Sequence, residues 1–259
     1  RKIEIIENDN IIIKENNNVR YLQFKKLLEY PNIRHCYTLK SLNLKGTSGE
    51  KQESIEKICN ELNLDKNKFI LSDQDHTKNI AIINNGNENL DNIDGLVTDK
   101  KGFILASKSA DCTTLLMYDP EKNVIASVHS GWRGTIKQIA VVAVNKMVEN
   151  YGSNPKNIIC CICPSIRKCH FEVDEDVKDV FEKTFEYEGI IEKGRKIENK
   201  QKYYIDTTKI NTQLLKKSGL KEENIIDCGL CTVCNNDKFH SYRLDKPKYG
   251  LNVGIISLL

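Results

Sequence analysis

The chain of 259 residues lacks any apolar run near the roughly 18 residues that a membrane-spanning helix requires. It also lacks a basic block or a lysine- and arginine-rich cluster with interleaved aromatics, and its formal net charge is only +3. Its first residues do not have the basic-then-apolar pattern of a secretion leader. These absences predict a cytoplasmic protein that has no membrane span and binds no nucleic acid.

Disulfide bonds are also not expected, although the sequence contains ten cysteines. Cytoplasmic thiols stay reduced, and a chain of this length can bury its own core. The cysteines are therefore predicted to be buried, metal-ligating or reactive. The spacing of Cys160, Cys161, Cys163, Cys169 and His170 matches no common zinc finger, so we expect buried thiols there.

The centre of the chain has the pattern of a β-hairpin. Two apolar runs, Thr113–Tyr118 and Val124–Val128, flank a segment of turn-forming residues. With the turn centred just after Pro120, Cys112 and His129 lie opposite each other, with Cβ atoms about 5 Å apart. A sulfur and an imidazole at that separation can bind one metal ion. Taken singly, each has a simpler interpretation, as a small buried residue and as a packed histidine.

A helix is predicted directly after this hairpin. Apolar residues recur at helical spacing over 135–151, with Thr135 as the expected N-cap and Gly152 as the stop. Trp132 and Arg133 precede the helix. Helix N-termini and arginine side chains both favour anions such as phosphate. The sequence therefore predicts that a thiol, an imidazole and an anion-binding group meet at one end of the hairpin.

The residues Ala110-Asp111-Cys112, followed by Val128-His129-Ser130-Gly131-Trp132-Arg133-Gly134, resemble a known signature. It is that of the polyphenol-oxidoreductase laccase family, which is also described as a purine nucleoside phosphorylase family. The pattern is long and unusual. The resemblance extends over roughly residues 35 to 256.

Other blocks of the chain are similar to the same family. Gln74 and His76 match a family strand ending in Gln-Val-His-Gly, whereas Asp75 and Thr77 depart from it. The resemblance implies a zinc site with a fourth position open for water or substrate, as in catalytic zinc centres, with copper as the alternative metal. Its implied ligands are His76, Cys112 and His129.

Two later segments resemble family blocks with differences. Cys163 and Arg167 stand where the family has glycines, which predicts a reshaped pocket wall. The series Cys228-x-x-Cys231-x-x-Cys234 invites a second metal site but lacks a fourth matching ligand nearby. Because Cys231-Thr232 matches a Cys-Thr pair of the family, a pocket-lining segment is the favoured interpretation.

The resemblance also implies roles for side chains around the metal. The catalytic residues would be Cys112, Asp111, His129 and Arg243. Substrate or phosphate would be bound by Trp132, Arg133 and Arg243. Simpler alternatives are a capping carboxylate for Asp111, core packing for Trp132 and a surface salt bridge for Arg243.

The implied fold is α+β. A single domain over residues 1–259 would have two mixed β-sheets packed face to face with helices outside, in four layers (α/β/β/α). Periodicity predicts helices over 49–62, 174–185 and 207–218, and a closing strand over 251–258. It also predicts an opening hairpin formed by Ile3–Ile6 and Ile11–Ile13, a helix over Tyr21–Tyr30 and a polar loop over Glu186–Lys200.

The implied function is phosphorolysis of adenosine, inosine or methylthioadenosine, with nucleoside and phosphate as partners and with adenosine deamination as a possible second activity. A zinc-bound water has a pKa lowered to about 7, which suits attack on a purine carbon. One alternative is a copper-dependent polyphenol oxidase of the laccase type, although only Met117 and Met147 are available as a weak axial ligand. The other is a metal-free Cys–His hydrolase with Cys112 as nucleophile.

Overall fold

The computed structural model describes residues 7–47 and 49–259. The strands are β1 (Ile11–Asn16), β2 (Val19–Phe24), β3 (Ile33–Thr38), β4 (Phe69–Leu71), β5 (Ile80–Ile82), β6 (Gly95–Thr98), β7 (Ile104–Ser109), β8 (Thr113–Asp119), β9 (Val124–Ser130), β10 (Ile159–Ile162), β11 (Glu172–Val173), β12 (Ile191–Ile197), β13 (Lys200–Ile205), β14 (Ile225–Asp227) and β15 (Asn252–Leu258). The helices are α1 (Lys25–Leu28), α2 (Gly49–Glu61), α3 (Trp132–Ile136), α4 (Ile139–Tyr151), α5 (Glu175–Thr184), α6 (Thr207–Lys217) and α7 (Tyr242–Asp245). None of the helices in the described residues is both long enough and apolar enough to span a membrane.

These strands form two mixed six-stranded sheets and one small antiparallel sheet. The first sheet has the order β1-β2-β3-β15-β7-β4, in which only β4 and β7 run parallel. The second has the order β14-β10-β8-β9-β6-β5, with parallel pairs at both edges. The third sheet, β11-β13-β12, is additional to the two predicted ones.

The two large sheets pack face to face around a shared apolar core. Leu22 and Phe24 of the first sheet belong to the same buried cluster as Leu116, Tyr118 and Ile125 of the second. Alternation along each strand sends the neighbouring side chains to the outer faces, where helices bury them.

Helices cover both outer faces. Ile58 and Cys59 of α2 pack against the first sheet. Val144 of α4 and Leu214 of α6 pack against the second. The predicted α+β fold with face-to-face mixed sheets and outer helices is therefore confirmed.

Most predicted elements are present with small changes in their limits. The three predicted helices correspond to α2, α5 and α6, and the closing strand is β15. The segment 186–200, predicted to be a loop, contains β12 instead. That strand pairs with β13 through a two-residue turn at Glu198 and Asn199, which have φ of 47° and 63°. Its side chains are mostly polar because the strand is largely exposed.

The opening of the chain differs from the prediction. Ile3–Ile6 lies outside the described residues, and β1 forms a hairpin with β2. Asn17 and Asn18 both adopt the left-handed conformation that a two-residue hairpin turn requires. The helix predicted over Tyr21–Tyr30 is wrong in its first half, which lies in β2; only the short α1 is helical.

Candidate metal centre and active site

The side chains of His76, Cys112 and His129 lie close together at one end of the large sheets. His76 is in the loop after β4, Cys112 directly precedes β8, and His129 is the penultimate residue of β9. One nitrogen or sulfur atom of each residue lies within 4.8 Å of the other two. His129 is buried, whereas His76 and Cys112 are half-buried, so the group remains partly accessible.

The register of the central hairpin differs from the prediction by two residues. His129 lies opposite Thr114 rather than Cys112. The turn consists of Pro120–Asn123, so its centre is one residue further along the chain than predicted. Side chains two positions apart share a face of a strand, and this shift therefore leaves Cys112 beside His129.

A buried carboxylate, Asp94, positions both histidines. It accepts hydrogen bonds from the backbone N–H groups of Asp75, His76 and Thr77, at 3.1, 3.0 and 2.9 Å. These bonds hold His76 in the left-handed conformation, at φ 57°, which is unusual for a residue other than glycine. His129 donates from Nδ1 to the same carboxylate at 2.8 Å. That bond fixes the tautomer and leaves Nε2 of His129 for the site.

The charges of this network shift the pKa values of its members. Burial alone would raise the pKa of Asp94, but hydrogen bonds from His129 and Thr77 hold it well below its ordinary value. Burial would likewise lower the pKa of His129, but the Asp94 carboxylate and the Cys112 sulfur raise it to about 9. Burial and the nearby His129 lower the pKa of His76. Asp94 is therefore an anion, and it favours positive charge at His129.

The three side chains suit a metal ion. Nδ1 of His76 is buried and has no hydrogen-bond partner among residues 7–47 and 49–259. Gly131 supplies the room, because a Cβ there would lie 2.5 Å from His76 Nδ1 and 3.4 Å from Cys112 Sγ. Two imidazoles and one thiolate are ligands that zinc and copper bind in proteins.

A pocket of about 740 Å³ adjoins this group. Its volume lies within the range of small-molecule sites. All the site residues predicted from the sequence line it: His76, Asp111, Cys112, His129, Trp132, Arg133 and Arg243. Its cationic residues are Lys108, Arg133, Lys202, Arg243 and Lys246, against two acidic ones, Asp111 and Glu172. Positive charge therefore predominates, which favours an anionic ligand.

Asp111 connects three parts of the pocket wall. It precedes Cys112, and its φ is 90°. Oδ1 accepts a hydrogen bond from the Thr232 hydroxyl at 2.6 Å, and Oδ2 accepts one from the Arg243 backbone N–H at 2.7 Å. The second bond accepts a backbone N–H of the first turn of α7, so Asp111 has the capping role that was the simpler alternative. A carboxylate has about four acceptor positions, and these two bonds leave capacity for a further one.

The Arg243 side chain lies along the pocket wall, half-buried. Its Nη1 donates to the His170 carbonyl oxygen at 3.2 Å, and its guanidinium carbon lies 5.9 Å from the centre of the Phe171 ring. These contacts leave the other donors of the guanidinium for a ligand.

Trp132 and Arg133 begin the five-residue helix α3, whose N-cap is Gly131. The predicted start at Thr135 is therefore wrong, and Gln138, with φ 60°, separates α3 from α4. So short a helix has a weak dipole, and anion binding here depends on side chains. The Arg133 guanidinium stacks 4.3 Å from the Trp132 ring, which packs 6.1 Å from Phe181. Trp132 thus both packs on the core and lines the pocket.

Three further residues contribute to this site. The sequence predicts no role for Asp94 or Lys108, and the Cys231-Thr232 pair, predicted to line the pocket, is not among the described residues that line it. Asp94 forms hydrogen bonds with residues 17 to 35 positions away in the sequence. The only nearby signal of its role is that a carboxylate stands directly before a strand. Thr232 holds Asp111 across 121 positions. Lys108 lines the pocket, and burial lowers the pKa of its amine.

Cys163 and Arg167, which replace two glycines of the family, do not line the pocket. Neither Cys163 nor Arg167 is among the described residues that line the pocket. Arg167 instead forms an ion pair with Asp227 at 2.8 Å, and Cys163 is fully buried. The prediction that these two replacements reshape the pocket wall is therefore not supported at either position.

Comparison with known proteins gives consistent matches. The model of the family described as multi-copper polyphenol oxidoreductase laccase matches residues 34–259. Purine nucleoside phosphorylase LACC1 of Mus musculus is 29% identical over 231 residues, which are 85% of this chain and 52% of that protein. Purine nucleoside phosphorylase YlmD of Bacillus subtilis is 31% identical over 212 residues, covering 78% and 75% of the two chains. The chain thus spans about half the length of the mammalian relative.

Two further matches extend the comparison. Adenosine deaminase RL5, from an unknown prokaryotic organism, is 28% identical over 207 residues, covering 76% of each chain. The crystal structure of hypothetical protein YfiH from Bacillus licheniformis has a TM-score of 0.83 at 26% identity, covering 94% of this chain and 100% of that one.

Proposed function

The chain belongs to the multi-copper polyphenol oxidoreductase laccase family, and from this premise we propose that it is a zinc-dependent purine nucleoside phosphorylase acting on adenosine or inosine. The observation that carries the proposal is the meeting of His76, Cys112 and His129 beside a pocket rich in cationic side chains. Relatives named purine nucleoside phosphorylase support the substrate class.

The proposed metal ligands are His76, Cys112 and His129, positioned by Asp94. When bound, zinc would supply Lewis acidity beside the substrate, and for deamination it would favour the ionisation of the water that attacks the purine carbon. The residues themselves do the positioning: Asp94 fixes the His129 tautomer and holds the His76 backbone in place.

Phosphate binding is assigned to Arg243 and Arg133, with Lys108 contributing charge. In phosphorolysis, phosphate oxygen attacks C1′ of the ribose, the C1′–N9 bond breaks, and the purine leaves with a proton. Arginine binds phosphate through paired N–H groups, which fixes the orientation of the attacking oxygen. Asp111, adjacent to both Cys112 and Arg243, is proposed to carry the proton.

Aromatic side chains suit the purine base. The pocket wall includes Trp132, Phe171, Tyr242 and Tyr249. Tyr242 and Tyr249 pack edge to face with ring centres 4.9 Å apart. Ring faces of this kind stack on planar heterocycles, which gives affinity for a base without depending on its edge pattern.

Adenosine deamination is a second proposed activity of the same pocket. A relative named adenosine deaminase supports it. The reaction replaces the exocyclic amine at C6 with oxygen from water and requires no phosphate. The two activities therefore differ in their dependence on phosphate.

Copper-dependent polyphenol oxidation is the less favoured alternative. Met117 of β8 and Met147 of α4 are fully buried in one core cluster, and neither is among the described residues that line the pocket. A blue-copper centre usually has a weak axial ligand of that kind. A single bound metal ion also does not by itself supply the four electrons of oxygen reduction.

A metal-free hydrolase using Cys112 is the second alternative, and one observation supports it. Cys112, His129 and Asp94 lie in the order thiol, imidazole, carboxylate, as in cysteine hydrolases. Full activity after chelation together with inactivation by iodoacetamide would support this function over the zinc enzyme.

The experiment incubates the purified protein with adenosine, with and without phosphate, and separates the products. Phosphate-dependent formation of adenine and ribose 1-phosphate supports phosphorolysis, and inosine formed regardless of phosphate supports deamination. The His76→Ala variant gives the background, and Asp91→Asn, at an exposed carboxylate outside the pocket, serves as the matched control. If the wild type makes neither product above the His76→Ala background, the nucleoside function is rejected.

A further inference from the structure

A second group of metal-binding side chains lies outside the pocket lining. It consists of Cys169 and His170, between β10 and β11, and of Cys231 and Cys234, between β14 and α7. The sequence predicts buried thiols for the first segment, and only the Cys228–Cys234 series is expected to lack a fourth ligand nearby. Cys160, Cys161 and Cys163 are buried as predicted, but Cys169 is exposed. The fold brings together two segments about 60 residues apart, and each contributes two side chains that could bind a metal ion.

The distances within this group match those around a single metal ion. Cys169 Sγ lies 3.7 Å from Cys234 Sγ. His170 Nδ1 lies 3.1 Å from Cys169 Sγ, 3.5 Å from Cys234 Sγ and 4.0 Å from Cys231 Sγ. In a tetrahedral zinc site, bond lengths of about 2.3 Å to sulfur and about 2.05 Å to nitrogen place sulfurs about 3.8 Å apart and sulfur about 3.5 Å from nitrogen.

The chemistry of the four residues indicates the type of site. Three thiols and one imidazole make a complete tetrahedral set, with no position left for substrate. Structural zinc sites have this composition, and soft thiolates disfavour magnesium and calcium. Cys169, His170 and Cys234 are exposed, so an ion can reach them.

We propose that Cys169, His170, Cys231 and Cys234 form a second metal site, which binds zinc and is structural. It is separate from the group at His76, Cys112 and His129, and it joins two loops behind the pocket.

The site is placed to hold the pocket wall in position. Thr232, next to Cys231, donates its hydroxyl hydrogen bond to Asp111. The carbonyl oxygen of His170 accepts the hydrogen bond from Arg243. A metal ion that joins the two loops therefore fixes the partners of both pocket residues without touching a ligand in the pocket.

The first test counts zinc in protein that has been reduced, stripped with a chelator and reloaded. Cys169→Ser/Cys234→Ser is expected to bind one zinc fewer per chain than the wild type. Cys59→Ala, at a buried cysteine of α2, is the control and is expected to keep the wild-type number. His76→Ala tests the other site independently, so loss at one site is distinguishable from loss at the other.

The second test needs no substitution. Zinc is expected to protect the exposed thiols of Cys169 and Cys234 from alkylation in the wild-type protein, and chelation to restore their reactivity, read by peptide mass spectrometry. An unchanged zinc count in the double variant overturns the proposal. A Cys169–Cys234 disulfide that survives the reductant also overturns it. So do thiols that remain reactive in reduced, zinc-loaded protein. Iron bound in place of zinc overturns the assignment of the metal.

Discussion

At the scale of single residues, Asp94 has the widest influence on the candidate centre. Its carboxylate bonds the backbone at His76 and the ring of His129, so one buried side chain determines the position of two of the three proposed ligands. Partners of this kind, one step removed from the metal, usually affect affinity strongly.

Replacing this carboxylate should weaken metal binding without removing a ligand. In Asp94→Asn, the amide cannot accept all the hydrogen bonds that the carboxylate accepts. The loop at His76 therefore loses bonds that hold this residue in the left-handed conformation. We expect zinc affinity at this site to fall roughly 10- to 100-fold, measured by competition with a chromogenic chelator. Asp91→Asn, at an exposed carboxylate, should bind zinc like the wild type; an unaltered affinity in Asp94→Asn would mean that Asp94 does not position the ligands.

The raised pKa of His129, about 9, predicts a pH dependence for the metal-free protein. The folded state holds this proton more tightly than the unfolded state, whose histidine pKa is about 6.5. The stabilisation is therefore complete below about pH 6.5 and is lost as pH rises toward 9, by at most about 3 kcal/mol.

Urea unfolding of metal-free protein at a series of pH values measures this loss. Asp94→Asn, which lacks the carboxylate partner, should show a flatter profile over the same interval. Equal slopes in the two proteins would contradict an Asp94–His129 ion pair.

At the scale of elements, the connection between β9 and α3 determines whether a metal ion has room. Gly131 lies there, and its φ of −67° is open to any residue, so the lack of a side chain serves close approach rather than backbone freedom. The proposed ligands come from the loop after β4, from the residue before β8 and from the end of β9. A side chain at position 131 would therefore contact two ligands, His76 and Cys112, that belong to other elements.

Gly131→Ala should therefore reduce zinc binding at the first site although every ligand remains. The new methyl group would lie 2.5 Å from His76 Nδ1 and displace that ring. Metal content and thermal unfolding measure the effect, with Gly49→Ala in α2 as control, where no atom of the described residues lies within 4 Å of the added carbon. Full zinc occupancy in Gly131→Ala would contradict the placement of the metal.

The elements also differ in how strongly the local sequence determines them. Helices α5 and α6 were predictable because they carry local signals, with Asp174 and Asp206 as their N-caps. The register of β8 and β9 was not, because moving the centre of the turn by one residue shifts every pair of the hairpin by two residues. Strand β12 was missed because its mostly exposed side chains give no alternation.

At the scale of the whole molecule, Asp111 connects two groups of thiols and imidazoles, because it precedes Cys112 and bonds to Thr232, the neighbour of Cys231. Motifs along the chain pointed to His76, Cys112 and His129, since each lies in a recognisable block. The second group was not predictable from spacing, because its ligands come from two loops that meet only after folding. The same holds for Thr232 and Asp94, whose contacts are long-range.

Each of the two proposed zinc sites should make its own contribution to the stability of the protein. A ligand at 100 times its dissociation constant adds about 2.7 kcal/mol per site, and for a chain of this size each kcal/mol raises Tm by roughly 2–4 °C. In calorimetry, we expect His76→Ala and Cys169→Ser/Cys234→Ser each to lose the contribution of one site to the zinc-dependent rise in Tm. A full shift in both variants would show that the stabilising zinc binds elsewhere.

The most direct measurement follows ribose 1-phosphate formed from inosine and inorganic phosphate while metal-stripped protein is titrated with zinc. We expect no product without zinc, product that rises to saturation as zinc is added, and none at any zinc concentration with His129→Ala. Product formed by stripped protein at the rate of the zinc-loaded enzyme, or zinc-loaded wild-type protein that forms none, would contradict metal-dependent nucleoside phosphorolysis at His76, Cys112 and His129.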